Sequence, residues 1–168
     1  MFDLKRHITD VPDFPKPGIV FRDISPLLRR HLGPATAALS ALVSDDEWSR
    51  IDALAGIESR GFVLAAALAT RHDKGLVMAR KQGKLPPPTV HQSYDLEYGT
   101  DALEMKAGNG RILLVDDVLA TGGTMRAAAN LCASAGYELL GLLVLIDLKI
   151  NTEFEWQSLR VRSAIQYD

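Results

Sequence analysis

Apolar and polar positions along the chain follow the order that is typical of parallel strands connected by helices. Stretches rich in Ala and Leu predict helices at residues 35–43, 61–72 and 125–135. Short apolar runs predict strands at residues 51–57, 76–79, 112–115 and 139–146. Since residues 112–115 are wholly apolar, both faces of that strand are expected to be covered. The order predicts an α/β fold, doubly wound around a mainly parallel sheet.

Two segments interrupt this alternation. Residues 1–30 are irregular, and the three prolines and one glycine within 11–18 predict an ordered loop or an extended segment. Residues 80–108, which contain three successive prolines, predict a long functional loop whose later part could form a hairpin. A final strand is expected from residue 165. A chain of 168 residues suits one domain, so we expect residues 1–168 to form a single domain.

Composition and charge exclude several classes of protein. Lys and Arg total 19 and Asp and Glu total 21, so the net charge of −2 leaves no electrostatic footprint for nucleic acid or an anionic membrane. No apolar run approaches the roughly 20 residues that span a bilayer, and the N-terminus lacks the apolar region of a secretory signal. We therefore expect a cytoplasmic protein. Cys132 is the only cysteine, which excludes a disulfide framework and a Cys-based zinc cluster.

The segment LLVDDVLATGGT at residues 113–124 carries most of the candidate chemistry. Asp116 and Asp117 follow the apolar strand, and ligands of open α/β sheets bind at the carboxyl ends of the strands. The glycine-rich turn 120–124 lets backbone N–H groups converge, and the helix start adds unpaired donors. We predict a cradle for a phosphate monoester, beside acids that accept hydrogen bonds from a ribose diol or hold a hydrated Mg²⁺. The alternative is a plain strand-to-helix connection with two solvated acids.

The same segment resembles the signature with which type I phosphoribosyltransferases, and in particular their adenine-specific members, bind phosphoribosyl pyrophosphate (PRPP). Relatives that act on 6-oxopurines often carry an aspartate where this chain has Ala120, whose methyl group cannot exchange a proton. The resemblance implies Mg²⁺ as cofactor, held mainly by the substrate, with Asp116 and Asp117 reaching it through water. It also implies that the 5′-phosphate and ribose are bound by Asp116, Asp117, Ala120, Thr121, Gly122, Gly123 and Thr124.

Residues 14–24, FPKPGIVFRDI, resemble the base-binding stretch of the adenine-specific enzymes, so residues 1–30 are expected to form a small hood over the base. The resemblance implies that backbone groups of Val20 read the edge of adenine and that Arg22 lies beside the base. Phe21 and Leu148 would lie on opposite faces of the purine, where aromatic stacking contributes on the order of 1–3 kcal/mol. Without the resemblance, Phe21 and Leu148 would indicate core packing.

Residues 58–62, ESRGF, follow a predicted strand and open a predicted helix, so that backbone donors, a helix N-terminus and an arginine meet. This combination predicts an anion site, although Arg60 alone could equally be a surface ion-pair partner. The resemblance implies that Ser59 and Arg60 bind pyrophosphate, partly through a strained and often cis peptide just before the arginine. It also implies a catalytic role for Arg60.

Arg80, Lys81 and Lys84 surround Gly83 directly after the predicted strand 76–79. On charge alone, these cations indicate a solvated face. The resemblance implies that they complete the pyrophosphate clamp. It further implies that Arg80 reaches into the site of a neighbouring subunit, so a homodimer is expected.

Residues 93–99, SYDLEYG, resemble the mobile catalytic loop of the family, which the flexible segment 80–108 would carry. Glu97 would be the acid–base group, which either takes the proton from N9 of the base or supports N7. Tyr94 and Tyr98 would cover the site and exclude water.

The resemblance covers nearly the whole chain, although residues 105–110 are shorter than usual and residues 151–164 match loosely. We expect an enzyme of purine salvage that transfers the phosphoribosyl group of PRPP to N9 of adenine, giving AMP and pyrophosphate. One alternative is an enzyme that acts on a 6-oxopurine. Two others lack catalysis: a PRPP-sensing regulator, for which the chain offers no basic patch, and a plain α/β binding module.

Overall fold

The structure is a computed structural model that describes residues 2–96 and 99–167. Its helices are α1 (Ser25–Ser40), α2 (Asp45–Arg50), α3 (Arg60–His72) and α4 (Gly123–Ser134), after a short 3-10 helix at Leu4–His7. Its strands are β1 (Thr9–Pro12), β2 (Val20–Asp23), β3 (Ala53–Ile57), β4 (Gly75–Lys81), β5 (Val90–Leu96), β6 (Gly99–Met105), β7 (Arg111–Leu119), β8 (Glu138–Asp147), β9 (Glu155–Trp156) and β10 (Leu159–Gln166).

In the described ranges, eight strands form one sheet in the order β5-β6-β4-β3-β7-β8-β10-β9. The neighbours β4, β3, β7, β8 and β10 are parallel, whereas β5, β6 and β9 add antiparallel pairings at the two edges. Strands β1 and β2 form a separate antiparallel ribbon. The prediction of an α/β fold with a mainly parallel sheet is therefore confirmed.

Helices cover both faces of the sheet. Helices α1 and α3 pack on one face with Leu113 and Val115, whereas α4 packs on the other with Ile112 and Leu114. Consecutive side chains of a strand point to opposite faces, and here both faces are covered by helices. Residues 112–115 of β7 are therefore all buried, which explains why all four are apolar. In the part of the chain that the structure describes, no helix is long and apolar enough to cross a membrane.

The first long helix begins earlier than predicted. Helix α1 starts at Ser25 and not at residue 35, because the carboxylate of Asp23 accepts a hydrogen bond from the Ser25 N–H (2.9 Å). Pro34, which directly precedes the predicted start, lies inside α1. The helix is interrupted at His31 (φ −138°, ψ 33°), because a proline in a helix cannot donate a backbone hydrogen bond and its ring crowds the preceding turn.

Residues 80–108 are more regular than a long loop. After the proline run at 86–88, strands β5 and β6 pair with each other in antiparallel register, and β6 also pairs with the end of β4. The hairpin considered for the later part of this segment is thus present. A loop across the whole segment is wrong, because backbone pairing between strands continues through most of it. Residues 97–98, between β5 and β6, lie outside the described residues.

Strand β7 continues beyond its predicted end at residue 115. Its pairing with β8 extends to Leu119 opposite Asp147, so Asp116 and Asp117 lie inside the strand and not after it. The backbone of both acids is therefore fixed by the sheet.

The other predicted helices and strands agree with the structure to within a few residues, apart from the final strand. Strand β10 begins at Leu159 and not at residue 165, because its parallel register with β8 already starts at Val161 opposite Leu142. Strands β1, β2 and β9, helix α2 and the short 3-10 helix were not predicted as such.

Helix α3 approaches the sheet closely because glycines occupy the points of contact. A Cβ on Gly56 of β3 would lie 2.8 Å from the carbonyl oxygen of Gly61, and a Cβ on Gly61 would lie 2.8 Å from that of Val115. Both neighbours are backbone atoms, which cannot move aside without shifting the helix or the strand. The start of α3 is thereby held against the ends of β3 and β7.

We predict that Gly56→Ala destabilises the fold, because the added methyl group would overlap the backbone of α3. Overpacking of a rigid interior costs about 1–3 kcal/mol, and the free energy of unfolding in urea should fall by that amount. Gly33→Ala in α1 is the matched control, since a Cβ there meets no atom within 4 Å and alanine suits a helix better than glycine. Equal stability of the two variants would contradict the close packing at Gly56.

Candidate active site

The carboxyl ends of β3, β4 and β7 meet at one edge of the sheet and enclose the candidate site. A pocket of about 100 Å³, formed by the turn after β7, adjoins a larger cavity and shares Asp116 and Thr124 with it. The larger cavity, of about 570 Å³, is lined by Glu58, Ser59, Arg60, Lys81, Tyr94, Asp116, Asp117 and Thr124. The structure thus brings residues of the predicted phosphate, pyrophosphate and loop segments together.

The two acids of β7 are buried. Only 8% of Asp116 and 6% of Asp117 is exposed. Asp116 Oδ1 accepts a hydrogen bond from the backbone N–H of Asp117 (2.9 Å). Burial, together with the negative charge of Asp117, raises the pKa of Asp116 well above its usual range. The alternative of two solvated acids after a strand is therefore wrong.

Arg60, the first residue of α3, connects several predicted parts of the site. Its Nε lies 2.7 Å from Asp117 Oδ2, and its guanidinium carbon lies 5.2 Å from the centre of the Phe21 ring. The N–H is not aligned for a hydrogen bond, so Asp117 Oδ2 is ion-paired but has no hydrogen-bond donor among the described residues. A buried acceptor in this state is a ready partner for a ligand hydroxyl group.

Glu58, to which no role was assigned from the sequence, connects the ends of β3 and β4. Its Oε2 accepts a hydrogen bond from the backbone N–H of Lys81 (2.8 Å) and lies 3.4 Å from Arg80 Nε. The peptide bond between Glu58 and Ser59 is cis, so the cis peptide expected close to Arg60 is present one residue before it. The carboxylate of Glu58 thereby holds the predicted clamp beside the predicted anion site.

Among the three cations of the predicted clamp, Lys81 is the one that lines the described cavity. Its Nζ lies 3.3 Å from Asp101 Oδ2, which also accepts a hydrogen bond from the Tyr94 hydroxyl (3.2 Å). Burial, together with the charge of Asp101, raises the pKa of Tyr94. Lys84 is exposed, and Arg80 is partly covered beside Glu58.

Glu104 shapes the turn that carries the clamp, although no motif marks it in the sequence. It is 2% exposed, and its Oε1 accepts hydrogen bonds from the N–H groups of Lys84 and Leu85, each at 2.7 Å. Burial alone would raise the pKa of Glu104. The backbone N–H groups of Leu85, Gly83 and Lys84 together outweigh burial, so the pKa is held below its usual range.

The glycine-rich turn 120–124 has the backbone that a phosphate cradle requires. Gly122 has φ +92° and is the N-cap of α4, where no side chain closes the helix start. A Cβ at this position would overlap the ring of Phe154, so both conformation and space require glycine. The N–H groups at the start of α4 therefore remain available for an anion.

The predicted base-binding residues lie on β2 and directly after β8. Val20 is exposed, and the ring of Phe21 lies edge-on to Phe14, with 5.2 Å between the ring centres. Leu148 is half-buried. Of this group, Phe21 is joined to the cavity through its contact with Arg60.

Arg22 is not among the residues that line the described cavity. Arg22 forms an ion pair with Asp10, and its guanidinium carbon lies 4.1 Å from the centre of the Tyr167 ring. Glu97 and Tyr98, the predicted acid–base group and one of the two predicted cover residues, lie outside the described residues.

The chain is similar to known proteins over nearly its whole length. A family model described as the phosphoribosyl transferase domain matches residues 31–165. The adenine phosphoribosyltransferase of Hydrogenovibrio crunogenus is 52% identical over 166 residues, which cover 98% of this chain and 96% of that protein. The chain belongs to the adenine phosphoribosyltransferase family.

Solved structures of the adenine phosphoribosyltransferase family share this fold. The crystal structure from Rhodothermus marinus matches with a TM-score of 0.84 at 43% identity, over 97% of this chain and 96% of that one. The structure from Saccharomyces cerevisiae, complexed with an imino-altritol bisphosphate and adenine, matches with a TM-score of 0.85 at 31% identity, over 96% of each chain. The resemblance to the type I phosphoribosyltransferases is confirmed, as is the prediction of a phosphoribosyltransferase enzyme.

Glu104→Gln should lower the midpoint of thermal unfolding at neutral pH, because glutamine lacks the charge that the turn 83–85 stabilises. The pKa of Glu104 lies below the ordinary value of 4.5 in the folded protein. Its carboxylate therefore stabilises the fold above that pH, and the stabilisation is lost as the pH falls through the folded-state pKa. The difference between wild type and variant should narrow as the pH is lowered. Glu153→Gln, at an exposed position, is the control; a gap that does not change with pH would exclude a role for the charge.

Proposed function

We propose that this chain transfers the phosphoribosyl group of PRPP to N9 of adenine, giving AMP and pyrophosphate, as an enzyme of purine salvage. The observation that carries the proposal is the position of Arg60, between the Asp117 carboxylate and the Phe21 ring. Arg60 thus lies beside Asp117, which could accept hydrogen bonds from the ribose diol, and beside Phe21, which could stack on the base. It also belongs to the predicted pyrophosphate site. Adenine as the base is supported by the relatives that are named adenine phosphoribosyltransferase and by the yeast structure complexed with adenine.

The 5′-phosphate of PRPP is proposed to bind at the glycine-rich turn 120–124. The start of α4 contributes N–H donors and partial positive charge, and the hydroxyl groups of Thr121 and Thr124 add further donors. The ribose diol is proposed to donate to Asp116 and Asp117. The Oδ2 atom of Asp117 supports this, since it is buried without a hydrogen-bond donor among the described residues.

The adenine ring is proposed to lie between Phe21 and Leu148, with backbone groups of Val20 at its edge. Ala120 favours adenine over 6-oxopurines, because its methyl group offers no proton acceptor or donor to the base. Arg22, with its contacts to Asp10 and Tyr167, is proposed to act beside the base by holding the β1–β2 ribbon in place.

The proposed reaction is a substitution at C1′ of the ribose. The bond from N9 of adenine to C1′ forms while the bond from C1′ to the pyrophosphate oxygen breaks, and pyrophosphate leaves with the electron pair. Glu97 is proposed to take the N9 proton or to support N7, and Tyr94 and Tyr98 to exclude water from the oxocarbenium-like state. The charge that develops on pyrophosphate is proposed to be stabilised by Ser59, Arg60, Arg80, Lys81 and Lys84.

The donor set fits Mg²⁺ that takes most of its ligands from the substrate. The carboxylates of Asp116 and Asp117 line the cavity, whereas no group of three or more His, Cys, Asp or Glu side chains converges among the described residues. Such a pair suits a hydrated ion held through water. When bound, Mg²⁺ supplies positive charge to the pyrophosphate and the diol. The two aspartates would orient its water ligands.

A homodimer is proposed from an apolar surface near Arg80. Val77 and Ala79 of β4 pack into the core on the α4 side, so the exposed Leu76 and Met78 lie on the α3 side. Val63 of α3 is also exposed there, and an apolar groove of about 640 Å³ separates α1 from α3. A second copy that covers these residues would lie beside β4, which supports a reach of Arg80 towards the neighbouring site.

A cytoplasmic location is proposed from the state of the one cysteine. Cys132 is a free thiol in the helix that follows the phosphate turn. Burial raises its pKa to about 12, so the thiol is unreactive. A buried free thiol of this kind suits a reducing compartment.

A competition between bases tests the function directly. The protein is supplied with PRPP, Mg²⁺ and equal amounts of adenine, hypoxanthine and guanine, and the nucleotides are separated by chromatography. AMP is expected as the sole product. Formation of IMP or GMP would show that the interpretation of Ala120 is wrong, and absence of any nucleotide with PRPP still bound would indicate a PRPP-sensing protein.

Asp117→Asn should lower kcat/KM by about 100-fold or more, because the neutral amide neither pairs with Arg60 nor accepts as strongly from the diol. Glu97→Ala should lower turnover strongly as well, while both variants keep the wild-type circular dichroism spectrum. Asp45→Asn on α2 is the control, since this exposed residue lies before the amino end of β3. A near-normal kcat/KM of Asp117→Asn would refute the role of Asp117, and near-normal turnover of Glu97→Ala at saturating substrate would refute that of Glu97.

A further inference from the structure

The segment 148–154, which follows β8, runs alongside the glycine-rich turn 120–124. The Leu148 N–H donates to the carbonyl of Leu119 (3.0 Å), which continues the contact between β7 and β8 past the ends of the strands. Further on, the side-chain amide of Asn151 donates a hydrogen bond to the carbonyl of Thr121 (2.9 Å). This bond joins the segment directly to the predicted cradle.

The chain around Asn151 is held before this residue by the bond from Leu148 to Leu119, and after it by Phe154 and Trp156. Phe154 is buried, its N–H donates to the Asn151 carbonyl (3.3 Å), and its ring fills the space beside Gly122. Trp156 donates its indole N–H to Asn130 Oδ1 on α4 (2.7 Å). Asn151 therefore reaches the turn from a segment that is itself held in place.

The carbonyl of Thr121 and the N–H of Gly122 belong to one planar peptide unit. In a trans peptide these two groups point in opposite directions, so a bond that fixes the carbonyl also fixes the direction of the N–H. Gly122 has φ +92° and no Cβ, so the residue itself restricts this peptide little. The hydrogen bond from Asn151 supplies the restriction from outside.

We propose that Asn151 is a positioning residue, which holds the Thr121–Gly122 peptide so that the Gly122 N–H is presented to the 5′-phosphate of PRPP. Asn151 itself does not touch the substrate in this role. The inference rests on the proposed function, because it assigns a support to the same phosphate site. Asn151 is the first residue of the segment 151–164, which matches the family pattern only loosely, so no sequence motif marks it.

Binding of ribose 5-phosphate, measured by calorimetry, isolates the phosphate site from catalysis. Loss of one ordinary hydrogen bond corresponds to about five- to tenfold in affinity, and Asn151→Ala should weaken binding by that factor. Asn151→Asp has nearly the same shape but a carboxylate cannot donate to the Thr121 carbonyl, so it should weaken binding at least as much. Asn109→Ala removes an exposed asparagine elsewhere and should leave binding unchanged.

Steady-state kinetics separate positioning from a general loss of structure. In Asn151→Ala the KM for PRPP should rise by the same factor as the dissociation constant. The KM for adenine at saturating PRPP, kcat and the midpoint of thermal unfolding should stay close to wild type, within about twofold for the kinetic constants.

Several outcomes would overturn the proposal. Ribose 5-phosphate binding by Asn151→Ala or Asn151→Asp that equals wild type would exclude a required hydrogen bond. Equal increases in both KM values, with a lower unfolding midpoint, would assign Asn151 to general stability. A wild-type protein that binds ribose 5-phosphate but forms no AMP would refute the proposed function alone, and the binding comparison would still decide the role of Asn151.

Discussion

Two adjacent carboxylates buried at the end of β7 determine the arrangement of the groups around them. A buried ionised carboxylate without a partner is costly, so the fold brings a positive charge to Asp117, whereas burial raises the pKa of Asp116. Arg60 supplies that charge from the first residue of α3. It reaches the acids because Gly61 allows the start of α3 to approach the backbone of β7. The close packing of helix on sheet and the electrostatics of the site are thus one constraint.

Around the predicted clamp, acidic side chains lie beside the cations. Glu58 lies beside Arg80, and Asp101 lies beside Lys81. Partly exposed ion pairs of this kind contribute about 0–1 kcal/mol, so an anionic ligand can replace them at small cost. The acids hold the cations in place, which would reduce the ordering that the proposed binding of pyrophosphate requires. Glu104 differs from them, because its partners are backbone N–H groups and its task is the shape of the turn.

Much of the fold could be predicted because burial on both faces of a sheet produces apolar runs such as 112–115. The start of α1 could not be predicted in this way, because it involves a hydrogen bond between the Ser25 N–H and Asp23 that no periodic pattern marks. Pro34 was also misleading, because it lies inside the helix and not at its start. Helix α2 could have been predicted, because Ser44 and Glu47 form a capping box that is readable as S-x-x-E. The position of the glycine-rich turn 120–124 was predictable because its glycines and threonines are consecutive. Glu104 was not, because its role arises from partners about 20 residues away, on the far side of a hairpin.

The two edges of the sheet differ from its centre in length and polarity. Strand β5, outermost at one edge, has the polar residues His91, Ser93 and Asp95 at exposed positions, and β9 at the other edge has only two residues. Short or polar edges are poor templates for the addition of another strand. The protein is therefore protected against edge-to-edge aggregation into a continuous sheet. The apolar surface from which the homodimer is proposed lies elsewhere, on α3 and on the exposed face of β4.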